Sequence, residues 1–137
     1  TPADDLEALH QVTKRSVVPI LADESVSQPH SALEVAKLRA ADGMSVKLTA
    51  CGGLRCARQI DTIARVAQMS TMVSCVNQPA LLTAAGLSFA LSSRNVEYGD
   101  LDGHFDVVGD PTLASFHVEE GWLIAEDIPG LGCTVQL

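Results

Sequence analysis

Positive charge is scarce in this chain: 9 lysines and arginines stand against 17 aspartates and glutamates in 137 residues, a net charge of −8. No basic stripe interrupts that excess, so nucleic acid and anionic membrane surfaces, which need a positive counter-field, are not expected as partners. Long apolar runs are missing too. None reaches the length of a membrane span, and Thr1-Pro2-Ala3-Asp4-Asp5 has neither the basic stretch nor the apolar core of a signal peptide, so a cytoplasmic chain is expected. Cysteine is sparse. Cys51, Cys56, Cys75 and Cys133 are too irregularly spaced for a secreted disulfide framework, no Cys-x-x-Cys or paired Cys/His spacing suggests zinc, and they read as reduced, mostly buried thiols. His10, His30, His104 and His117 are scattered without ligand spacing and read as solvent-facing or hydrogen-bonding residues. Repeats beyond a βα period, low-complexity tracts and linkers are absent, so one domain accounts for the chain. The first residue is Thr rather than Met, which raises the expectation of a piece cut from something longer.

What is present is a sizeable apolar fraction, 47% hydrophobic against 19% charged, the profile of a globular unit with a core. Thr1-Pro2 resembles a cap with Pro at the first helical position, and Leu6, Leu9 and Val12 carry a helix to about Lys14. The continuous apolar run from Val17 to Ala22 predicts a strand buried on both faces, although Pro19 removes one ladder donor. A second helix is expected over 31–41, with Ser31 and Glu34 as a capping box and Gly43 as the stop. Strands over 45–48, 71–76 and 95–98 then alternate with helices over 53–69 and 79–91. Such alternation with short connections implies parallel strands joined by right-handed crossovers. After Asp102 the pattern changes: Ser115-Phe116-His117-Val118 and Trp122-Leu123-Ile124 read as a hairpin within a terminal cover, and Trp122 as a lid on the core.

Ionisable residues gather where strands end. Asp23-Glu24-Ser25 follows the first strand, Lys47 closes the second, and Asp100 and Asp102 follow the last; in a parallel barrel such ends open onto one mouth, where catalytic groups and metal ligands collect. Spacing alone leaves plainer readings open. Asp23 also reads as a loop cap, Lys47 as a surface lysine, and Asp100 and Asp102 as solvated turn residues.

Taken together, Asp23-Glu24-Ser25, Val46-Lys47-Leu48 leading to Gly52-Gly53, Asp100-Leu101-Asp102-Gly103 and the closing Pro129-Gly130-Leu131-Gly132 resemble the enolase superfamily. Within it they look most like the muconate-lactonizing group, and the Asp100/Asp102 pair most like its dipeptide epimerases. The resemblance implies an α/β fold: the C-terminal half of a (β/α)₈ TIM-type barrel, with four parallel strands and intervening helices over 1–102 and a hairpin and cover over 103–137, one partial barrel domain. It implies a Mg²⁺-dependent isomerase that moves the α-proton of a small carboxylate or dipeptide substrate. By the same likeness Asp23 matches a metal ligand and Lys47 a catalytic lysine, Asp100 and Asp102 would receive the substrate ammonium, and Gly52 and Gly53 would let substrate approach the backbone. The chemistry suits these types, since a hard cation takes carboxylate oxygens and steadies the charge left when a weakly acidic α-proton departs. A lysine serves as base near neutral pH only where a nearby cation or burial lowers its pKa.

The sequence departs from the family at two points. Gln78, at a position that the resemblance implies is substrate-binding, stands where the family usually carries Glu, and Gln supplies neither charge nor a proton relay. The remaining metal carboxylates and a Lys-x-Lys pair belong upstream of the helix at which this sequence begins, and a complete barrel has eight strands and roughly 250 residues. The expected partner is therefore the missing N-terminal half, or a second copy. A cycloisomerase, an o-succinylbenzoate synthase and a non-catalytic assembly unit stay open as alternatives.

Overall fold

The computed structural model describes residues 1–136. Helix α1 (Leu6–Arg15) begins at Asp5 and not at Thr1-Pro2, because the Asp5 carboxylate accepts from the Ala8 amide at 2.9 Å; Glu7 in its first turn and Lys14 and Arg15 in its last complement the helix dipole. Strand β1 is only Leu21–Ala22, shorter than the expected run. Upstream, the Ser16 hydroxyl donates to the Val18 carbonyl and accepts its amide, turning the chain so that Val17 stands 99% exposed. Apolar residues without a neighbouring strand do not make a buried one.

Helix α2 (Pro29–Leu38) also starts earlier than expected, with Pro29 in its first turn and Ser31 reciprocally capping Gln28, while Glu34 instead pairs with Lys37 at 2.8 Å. It ends at Arg39, in the left-handed region, rather than at Gly43. Gly43 opens strand β2 (Gly43–Lys47), which is buried throughout except at Lys47. A four-residue helix, α3 (Leu48–Cys51), not anticipated from the sequence, separates β2 from α4 (Leu54–Val66). Ala57, Ile60 and Ala64 of α4 face the core. Strand β3 (Ser70–Ser74), helix α5 (Ala80–Ser92) and strand β4 (Val96–Gly99) complete the series.

The four strands pair in the order β1-β2-β3-β4, all parallel, as the alternation requires. Met44, Val46 and Val73 of the sheet lock against Val35, Ala57 and Ile60 of the helices to form the main core. Helix α5 is apolar on every side because two layers claim it. Ala85 and Phe89 pack on the sheet, while Ala80, Ala84 and Leu87 pack on Phe116 of the tail. The tail consists of a short pair, β5 (Thr112–Leu113) with β8 (Thr134–Val135), and the hairpin β6 (Phe116–Glu119) with β7 (Trp122–Ala125). Trp122 does not cover the core as expected; it is 75% exposed. At the end of the sheet where the strands begin, Asp61 is buried and satisfied by hydrogen bonds from Thr71, Ser93 and Asn95. The opposite end carries the strand C-termini.

Candidate active site

Parallel pairing puts the ends of all four strands on one rim, so the residues that follow them are brought together by topology rather than by sequence distance. At the β1/β2 side, Lys47 Nζ donates to Asp23 Oδ2 at 2.7 Å and to Glu24 Oε1 at 3.0 Å. The lysine side chain is 18% exposed, and Asp23 and Glu24 are 41% and 72% exposed. The three line a cleft of about 310 Å³ with Val26, Ser27, Ser45, Ala50 and Val76. Ser45, which lines it, shares a buried hydrogen bond of 2.6 Å with Ser74 on the next strand.

Electrostatics follow from the contact. Burial pulls the Lys47 ammonium down, but the hydrogen bonds and charges of Asp23 and Glu24 outweigh it and hold the group above an ordinary lysine. The hydrogen bond from Lys47, chiefly, holds the Glu24 carboxyl below its usual value. Two carboxylates share one ammonium, which leaves unused lone pairs and net negative charge at a strand end. That donor set, made of hard oxygens, fits Mg²⁺.

At the β3/β4 side the composition differs. Cys75, Asp100 and Asp102 present ligand atoms that all lie within 4.8 Å of one another. Cys75 Sγ donates to Asp102 Oδ1 at 3.7 Å and accepts the Gly103 amide at 3.2 Å. Burial pushes the Cys75 thiol up, so it stays an S–H. A protonated thiol beside two carboxylates is a poor cage for a hard metal and a fair one for an ammonium group. Asp100 and Asp102 also border a cleft of about 510 Å³ with Phe105 and Trp122.

Gly103 holds this corner in place through close packing. A Cβ at that position would lie 2.0 Å from the Val76 carbonyl oxygen, and the Gly103 carbonyl accepts the Gln78 amide at 3.2 Å. Only a hydrogen fits between the two loops.

Other expected site residues sit apart. The Gln78 side chain is buried and donates to the Thr83 hydroxyl at 3.2 Å. Gly52 and Gly53, with φ of 87° and 102°, form the reversal between α3 and α4, and Ala50 rather than either glycine walls the Lys47 cleft. Two residues of the clusters escaped sequence reasoning: Glu24, noticed but given no role, and Cys75, read as one thiol among four. Both immediately follow a strand or its first neighbour, and that position was the available signal. All four cysteines are free. No helix among the described residues is long and apolar enough to cross a membrane.

The family model "Enolase C-terminal domain-like" matches residues 1–137. The chain is 39% identical over 130 residues to the L-Lys-D/L-Arg epimerase of Methylococcus capsulatus, covering 94% of this chain and 36% of that protein. It is 33% identical over 138 residues to muconate cycloisomerase 1 of Rhodococcus opacus, covering 100% of this chain and 37% of that protein. It superposes with a TM-score of 0.92 and 29% identity on the dipeptide epimerase of Enterococcus faecalis complexed with Mg and the dipeptide L-Leu-L-Tyr, over 98% of this chain and 38% of that one. The chain thus spans little more than a third of the length of the relatives it matches, and its fold is that of the C-terminal part of their barrel.

Proposed function

Because the chain belongs to the Enolase C-terminal domain-like family, we propose that it supplies one side of the active site of a Mg²⁺-dependent dipeptide epimerase. The observation that carries this reading is a division of charge along one rim: Lys47 sits between Asp23 and Glu24, while Asp100 and Asp102 converge with no paired cation among the described residues. In the complete protein Lys47 exchanges the α-proton on one face of the substrate, and Asp100 and Asp102 accept hydrogen bonds from its ammonium. Asp23 would hold Mg²⁺, which when bound draws negative charge from the substrate carboxylate and makes the α-proton more acidic. Lys47 must also shed the extra stabilisation of its charged form before it can take a proton, and a dication on Asp23 acts in that direction.

The spacing of the clusters supports a dipeptide. Lys47 and Asp100 lie at the ends of strands two places apart, roughly 10 Å at about 4.8 Å per strand, and an extended two-residue ligand spans about 7 Å. Side chains reaching inward from both ends close the difference. The free edges of β1 and β4 are the places where the rest of a barrel would pair. Four unpaired thiols agree with a reducing, cytoplasmic setting.

The test is NMR of the complete protein in D₂O with Mg²⁺ and L,L-dipeptides, following loss of the α-proton signal of the C-terminal residue. Exchange with free-amine dipeptides and weak exchange with their N-acylated forms is the expected result. Preferential turnover of amine-free acids would favour a cycloisomerase or an o-succinylbenzoate synthase instead, and no Mg²⁺ binding by calorimetry would favour a non-catalytic unit.

A further inference from the structure

We propose that Glu24 is the positioning residue for Lys47: with Asp23 committed to a divalent cation, the Glu24 carboxylate is what keeps the lysine ammonium in place beside the substrate. This rests on the roles just given to Asp23 and Lys47 and assigns a task to a residue that those roles leave idle.

Three features of the site carry it. Asp23 and Glu24 are consecutive, and in an extended strand they would point to opposite faces. Strand β1 has ended at Ala22, and the Val26 amide bonds back to the Asp23 carbonyl at 2.8 Å, so the chain turns and both carboxylates reach the same Nζ. Among the described residues, no third carboxylate pairs with that ammonium. The two partners are not equivalent toward a metal. Asp23 already spends Oδ2 on Lys47, and a dication on Asp23 would repel the ammonium at short range, weakening that contact. Glu24 has a longer side chain, lies toward solvent and reaches the same Nζ at 3.0 Å, so it can keep hold of Lys47 when Asp23 turns to a metal.

Were Glu24 merely one half of an exposed ion pair, its loss would hardly register. The test therefore uses the complete Mg²⁺-loaded protein and its Glu24→Gln and Glu24→Asp variants. Deuterium uptake is measured separately from the L- and the D-configured C-terminal residue of a dipeptide, because one lysine serves each face. Mg²⁺ affinity by calorimetry and thermal unfolding are measured alongside. For Glu24→Gln, the expected result is a fall in kcat of about 10- to 100-fold for uptake on the face served by Lys47, the scale of one charge-assisted hydrogen bond. Uptake on the opposite face, KM and Mg²⁺ affinity stay within about threefold, a tolerance set well below that effect. Glu24→Asp regains part of the loss. An equal fall on both faces with weaker Mg²⁺ binding would overturn the proposal by making Glu24 a metal ligand, and unchanged uptake on both faces would reduce it to a solvent ion pair. Lys47→Ala separates the two readings: if it too left both faces intact, the role of Lys47 would fall, whereas loss of one face in Lys47→Ala but not in Glu24→Gln would sink only the present proposal.

Discussion

The two acidic clusters on the rim differ by a single cation. Asp23 and Glu24 close around Lys47 at 2.7 and 3.0 Å, whereas Asp100 and Asp102 gather beside the Cys75 thiol and, among the described residues, form no ion pair. A cluster with its own counter-charge can change protonation without importing anything, while one lacking a cation attracts it from outside. On the proposed function, the first cluster is the place for moving a proton and the second the place for recognising a ligand. Breaking the first should have the larger effect. Lys47→Ala in the complete protein should lower α-proton exchange on one face by about 10²- to 10⁴-fold, the usual contribution of a positioned acid or base, read as deuterium uptake by NMR. Near-full exchange would show that the first cluster does no proton transfer.

Breaking the second cluster should cost less and discriminate more. Asp100→Asn or Asp102→Asn should lower kcat/KM for free-amine dipeptides by about 10- to 100-fold, as expected for one charged hydrogen bond. N-acylated substrates should be indifferent. A loss common to both substrate types would mean that the pair shapes the rim rather than reading the amine.

The clusters are also joined mechanically. Val76 lines the Lys47 cleft while its carbonyl presses on Gly103, so the β3–α5 loop belongs to both. Gly103→Ala must push that carbonyl away from a Cβ 2.0 Å distant. The expected cost is about 1–3 kcal/mol, typical of overpacking, seen in denaturant unfolding, with impaired proton exchange as well as impaired amine recognition. Loss of stability with both functions kept would show that the loop absorbs the shift.

The sequence made the sheet easy to read and the loops hard. β2, β3 and β4 fall close to where the alternation with helices predicted them; β2 and β3 are largely buried, as their apolar content requires, while β4 is mostly exposed. The Val17–Ala22 run failed because periodicity says nothing about whether a partner strand is present, and Ser16 bent the chain before one could pair. Helix starts shifted for a similar reason: Asp5 caps α1 in place of Thr1, and Gln28 takes the cap of α2 with Ser31 in its third position. Asp23, Lys47, Asp100 and Asp102 could be singled out because strand ends in a parallel sheet share one rim. Glu24 and Cys75 stand at the same strand ends, but their roles were not legible, since their contacts depend on a turn after β1 and on the close approach of Gly103 to Val76. The capping of α5 by Asp110, which accepts the Ala80 amide from 30 residues away, is equally invisible to local pattern.

The smallest expected effects concern stability, and here the clusters should respond with opposite sign. Glu24 sits below its ordinary pKa of 4.5, chiefly through the Lys47 hydrogen bond, so its contribution is present above that value and is lost as pH falls through the lowered one. Lys47 is displaced upward from 10.5: burial lowers it, and the hydrogen bonds and charges of Asp23 and Glu24 more than compensate, so its contribution is complete below 10.5 and lost as pH climbs through the raised value. Glu24→Gln should therefore lower the unfolding midpoint by a small, nearly constant amount between those limits and converge on the wild type in acid. Asp100→Asn removes one of two like charges held within 4.8 Å, so it should raise the midpoint at neutral pH. Both differences should shrink as salt is added, because both sites are open to solvent. If Asp100→Asn instead destabilised the fold, the second cluster would already possess a counter-charge, and the contrast between a cluster that holds a cation and one that lacks it would collapse.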